Sequence, residues 1–103
     1  MAILNTAIST GDAANIYVSS GSSAITTIHL CNYTANNATA NIFLVPNGST
    51  AGNGTIIYSN VSITAYNTLI VFAEKFILAD GDTVKANCSA ATTITSTVSS
   101  IGL

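Results

Sequence analysis

Apolar and polar residues alternate along much of this chain, and the apolar half is dominated by β-branched side chains, as in Thr83-Val84-Lys85-Ala86-Asn87-Cys88. A spacing of two puts successive side chains on opposite faces of an extended strand. The pattern therefore favours sheet over helix, whose faces repeat every ~3.6 residues. Clusters of Gly and Asn interrupt the alternation every ~8 to 15 residues, which is the punctuation of a sandwich or barrel. No segment carries a helical period. Strands are predicted over 3–8, 15–18, 24–33, 39–45, 55–59, 61–65, 68–72, 83–88 and 92–98. The chain reads as all-β, a single antiparallel β-sandwich of about eight strands, jelly-roll-like or Ig-like.

Its 103 residues suffice for one domain, burying roughly 65% of the surface that the unfolded chain exposes. That domain spans 1–103, with 1–10 expected as an N-terminal arm or edge strand added to a neighbour, or else as the ordinary first strand of the sandwich. The turns have physical causes. Ser20-Gly21 tolerates positive φ, and Ala35-Asn36-Asn37-Ala38 is expected to close a hairpin between the strands around Leu30 and Ile42. Pro46 lacks the N–H that a ladder needs, so it ends its strand and opens the loop 47–54. Asp80-Gly81-Asp82 forms a second tight turn, after which Val84, Ala86 and Cys88 should face inward.

The surface of such a sandwich has few ions to wet it. Only six residues carry formal charge and the net is -2, whereas Ser, Thr and Asn make up 38 residues. Soluble domains average about 25% charged residues, and a small domain that diffuses freely usually holds a net charge of about 2 to 8. This balance suits a building block whose surface is taken up by neighbours. Two Lys and no Arg cannot drive nucleic-acid binding by counterion release. No apolar run approaches the ~18 residues of a membrane span. With no basic, apolar leader at Met1–Thr6, the protein is expected to be made in the cytoplasm and not secreted. Cys31 and Cys88 are then expected as reduced thiols, and the six Asn-x-Ser/Thr sequons at Asn32, Asn37, Asn47, Asn53, Asn60 and Asn87 as unmodified.

Several runs are apolar at consecutive positions: Ile42-Phe43-Leu44-Val45, Ile56-Ile57-Tyr58, Leu69-Ile70-Val71-Phe72 and Phe76-Ile77-Leu78. A strand of that kind needs cover on both faces. One source of cover is a partner subunit, which nominates Ile3, Leu4, Ile8, Phe43, Val45, Ile57, Ile70 and Phe72 as interface residues. The other is the chain's own loops lying over central strands. The hydroxyl row Thr93, Thr95, Thr97 and Ser99 reads as a solvated sheet face.

Sites of chemistry are thin. His29 and Cys31 share a strand face and could reach one metal ion together with Cys88. Parity opposes this: if Ile28 and Leu30 point inward, His29 and Cys31 point away, whereas Cys88 shares its row with Val84 and Ala86. A disulfide between Cys31 and Cys88 fails on the same ground. A β-bulge at Thr26-Thr27 would shift that parity. The single His29 has no acid and no Gly-flanked Ser near it in sequence for a triad. Asp80 and Asp82 flank a turn glycine, which a turn requires without any calcium ion. No enzyme, cofactor or metal is expected.

Further marks come from the order of the segments. A long strand ends in Ile28-His29-Leu30-Cys31-Asn32-Tyr33-Thr34, followed by a small-residue turn and Ala40-Asn41-Ile42-Phe43-Leu44-Val45-Pro46. Then come Ile77-Leu78-Ala79-Asp80-Gly81-Asp82-Thr83-Val84-Lys85-Ala86, a Ser/Ala run, and a closing strand from Ile94 to Ile101. In these features Gly21 to Leu103 resembles the small β-sandwich virion proteins of tailed bacteriophages, of the marine and cyanobacterial phage type. The resemblance implies a non-enzymatic virion structural protein, foremost a capsid decoration (cement) protein, with neck, tail or baseplate components as the alternative. Implied partners are the major capsid protein or tail and neck proteins, with a homo-oligomer, a trimer on a capsid, as the expected assembly. The contrasting reading from the residues is a carbohydrate-binding adhesion module using Tyr17, Tyr33, Tyr58 or Tyr66. It requires those rings to gather on one exposed surface.

Overall fold

The computed structural model describes residues 2–8, 13–71, 76–89 and 94–102. Among them are nine strands and no helix: β1 (Ala2–Ile8), β2 (Ala14–Val18), β3 (Ser23–Asn32), β4 (Ala38–Val45), β5 (Ile56–Ile63), β6 (Thr68–Val71), β7 (Phe76–Leu78), β8 (Thr83–Cys88) and β9 (Ile94–Gly102). They form two antiparallel sheets packed as a β-sandwich. Sheet A runs β1-β9-β3-β6, with β7 also paired to β3, and sheet B runs β2-β8-β4-β5.

Alternation decides which side chains enter the core. Along β8 the residues Val84, Ala86 and Cys88 are buried, as expected, and so are Ile94, Ser96, Val98 and Ser100 along β9. The register of β3 against β9 slips between Ile25 and Thr27. This bulge lets Ile25 and Ile28 both face inward although they are three apart, and Thr26 Oγ1 donates to the Ser99 carbonyl beside it, at 3.0 Å. Beyond the bulge Ile28 and Leu30 are buried while His29 is exposed, so the inferred parity holds. Cys31 and Cys88 therefore lie on opposite sides of sheet A, one on its outer face and one in the core, and neither is in a disulfide. Ile8, Ile16, Ile42, Ile63 and Val84 complete the layer between the sheets.

Two expectations are corrected. The loop 33–37 does not close a hairpin, because β3 belongs to sheet A and β4 to sheet B, and the chain crosses between layers there. The segments 55–59 and 61–65 are one strand, β5, whose register against β4 shifts twice. Asn60 sits in this strand at φ +51°. An Asn side chain tolerates that left-handed backbone, so Asn60 bends one strand where two were expected. The N-terminal segment is an edge strand of its own sheet, paired with β9 from Ala2↔Ser100 to Ile8↔Ile94.

Candidate interaction face

The outer face of sheet A is assembled from alternate residues of its strands. One row across the sheet is Asn5, Thr97, His29 and Ile70; the next is Ala7, Thr95, Cys31 and Thr68. Towards the other end come Ile3 opposite Ser99, then Ile101, Ala24 and Ile77 side by side. Thr97 Oγ1 donates to Asn5 Oδ1 at 2.9 Å, tying the hydroxyl row to the edge strand. Among the described residues this face carries no carboxylate and no ammonium group. Its apolar part is isoleucine, with Ile3 72%, Ile77 59%, Ile70 46% and Ile101 43% exposed.

The residues nominated as interface divide. Ile3 and Ile70 share this face. Leu4 pairs with Val98 on the inner side of β1 yet stays 42% exposed, and Ile57 is exposed on β5 of the other sheet. Ile8, Phe43 and Val45 are corrected, because all three are buried in the protomer itself. Ile8 faces the core. Phe43 is on the outer face of sheet B, cross-strand from Lys85 and beside Ala51 and Gly52 of the following loop. That loop is held against the strand by Leu44 N–H donating to the Thr55 carbonyl. Here the chain's own loop supplies the cover that consecutive apolar residues demanded. Phe72 lies outside the described residues. Ile77 and Ile101 were missed. Ile77 lies within an apolar run that was visible in the sequence, and Ile101 continues along β9 the outward row of Thr95, Thr97 and Ser99.

The remaining candidate chemistry is absorbed by turns and amides. Asp82 accepts from Asn47 N–H and Ala79 N–H, both at 2.9 Å, and Asp80 accepts from Gly21 N–H at 2.8 Å. The Asn47 bond first, then the Ala79 bond, holds the Asp82 carboxyl below its usual range, against a smaller opposing push from desolvation. A depression of about 320 Å³ on the outer face of sheet B is lined by Asn41, Asn60, Asn87 and Phe43. In it Asn41 already donates to Asn87 Oδ1 and accepts from Asn60 N–H, both at 2.8 Å. Of the four tyrosines, Tyr17 and Tyr58 pack partly buried against the core, while Tyr33 and Tyr66 are exposed. No helix among the described residues is long and apolar enough to cross a membrane. No family model, curated protein or solved structure matches the chain.

Proposed function

We propose that this chain is a non-enzymatic structural protein of a tailed-phage virion, a capsid decoration protein that docks through the outer face of sheet A. The observation that carries this reading is that face, uncharged among the described residues and bearing four exposed isoleucines. Covering them would contribute on the order of 10 kcal/mol at about 25 cal/mol per Å². Association costs about 4 to 15 kcal/mol, so one isolated contact is weak and repeated contacts in a lattice are strong. Among the described residues the face carries no ion, so docking of those residues incurs no desolvation penalty for a buried charge. Composition supports the same role, since a subunit held in a particle needs little charge of its own to stay dispersed.

The test is quantification of the protein in purified virions, followed by rebinding of recombinant protein to stripped particles. A copy number that tracks the major capsid protein supports decoration, a few copies per particle shift the assignment to the neck or tail, and absence from virions refutes the proposal. Light scattering across concentration reads the homo-oligomer, for which a trimer is expected. The double variant Ile70→Asp/Ile77→Asp should fold and fail to rebind.

A further inference from the structure

The end of the sandwich formed by the loops 33–37 and 64–67 is built differently from the docking face. In the turn Thr64-Ala65-Tyr66-Asn67, Asn67 N–H donates to the Thr64 carbonyl at 3.0 Å, and Tyr66 holds the third position at φ +60°. Gly or Asn normally fills such a position, because a Cβ there crowds the following carbonyl, and a bulky residue is an outlier. Nothing in the packing requires a ring, since Tyr66 is 71% exposed. The strained backbone is held by its surroundings: Tyr66 N–H donates to the Thr34 carbonyl at 3.1 Å, Ala65 N–H to Asn37 Oδ1 at 3.0 Å, and Asn32 N–H to the Asn67 carbonyl at 2.9 Å. Strain of this kind persists where the structure over-determines it, and it concentrates at ligand sites.

The same stitching places a second tyrosine on this loop end. Tyr66 N–H bonds to the carbonyl of Thr34, the residue after Tyr33, so Tyr33 and Tyr66 stand on two loops joined backbone to backbone. Both rings are exposed. Around them the described residues of the two loops carry the amides of Asn36 and Asn37, the hydroxyls of Thr34 and Thr64, and no charge. We infer that the loop end 33–37/64–67 is a binding site for a neutral oligosaccharide, with Tyr33 and Tyr66 stacking on the C–H faces of successive sugar rings and the neighbouring amides meeting their hydroxyls. An anionic ligand would need cations that these loops lack. A protein hot spot would sit in a desolvated apolar patch, whereas these rings stand among amides. The surface is shallow, so a Kd of about 1 mM is expected for a single site, raised in effect where many copies face one glycan. The inference does not depend on the docking reading, because it uses none of the isoleucines of the sheet A face.

The experiment is titration of the ¹⁵N-labelled protein with cellohexaose, maltohexaose and mannohexaose, each to ~10 mM, about ten times the expected Kd. At least one of them should shift the amides of Tyr33, Thr34, Tyr66 and Asn67. Tyr33→Ala and Tyr66→Gly should each weaken binding ~10-fold or more, while Ile70→Asp leaves it unchanged even if that variant no longer docks on virions. Tyr66→Gly, and as a second variant Tyr66→Asn, should at the same time raise the Tm by several degrees by relieving the left-handed strain. The inference is overturned if none of the three sugars shifts these amides, if Tyr66→Gly binds as well as the parent, or if relief of the strain lowers the Tm.

Discussion

Asn32 is the residue whose replacement tests the construction of the molecule most sharply. Its side chain is fully buried at the end of β3 and makes four bonds. Nδ2 donates to the carbonyls of Asn36 (2.7 Å) and Ile63 (3.0 Å), and Oδ1 accepts from the N–H and the hydroxyl of Thr34 (3.0 and 2.8 Å). In Asn32→Ala the Thr34 hydroxyl can turn away and the exposed Asn36 carbonyl can take water, at a cost of about 0.5–1 kcal/mol each. The Thr34 N–H and the Ile63 carbonyl are less accessible, and leaving each unsatisfied costs about 1–3 kcal/mol. The expected loss is about 3–8 kcal/mol, a large share of the 5–15 kcal/mol that holds a domain together. Urea unfolding followed by circular dichroism should show the midpoint falling by about 2 M or more at an unchanged slope of ~1–1.5 kcal/mol/M. Thr34→Val should cost less in the Asn32→Ala background than alone, because the two side chains share bonds. A loss below ~1 kcal/mol for Asn32→Ala would refute the reasoning, since it would mean that the loop crossing from sheet A to sheet B is not anchored by this amide.

The turn at the opposite end yields two more expectations. Gly81 has φ +85°, and a Cβ there would stand 2.6 Å from Asn47 Nδ2. Gly81→Ala should therefore cost about 1–2 kcal/mol in urea unfolding, and adding Asn47→Ala should recover the clash but not the backbone penalty. Because the Asp82 carboxyl is held below its usual range by backbone donors, its contribution is complete above the unfolded-state pKa, near ~4, and is lost as pH falls through the lower folded value. Thermal midpoints measured from neutral pH down to about pH 2.5 should fall in the parent and fall less in Asp82→Asn.

Period-two alternation by itself determined that the chain is all-β and which way most side chains point. Ile28 and Leu30 go in, His29 comes out, and Val84, Ala86 and Cys88 line the core, because facing within a strand is a local property of the pleat. Which strand lies beside which is not local. Nothing in Ala35–Ala38 distinguishes a hairpin from a crossing between sheets; the crossing follows from β3 pairing with β9 and β6 while β4 pairs with β8 and β5. The consecutive apolar residues likewise reported a demand for cover without naming its source. Phe43 found it in the loop that follows its own strand, whereas Ile70 and Ile77 remain open because no segment among the described residues covers them. Tyr33 and Tyr66 are distant in the chain, and only the pairing of β3 with β6 joins their loops. The sequence specifies each strand's faces residue by residue, while the partners of those faces emerge only when non-local pairing is settled for the whole sandwich at once.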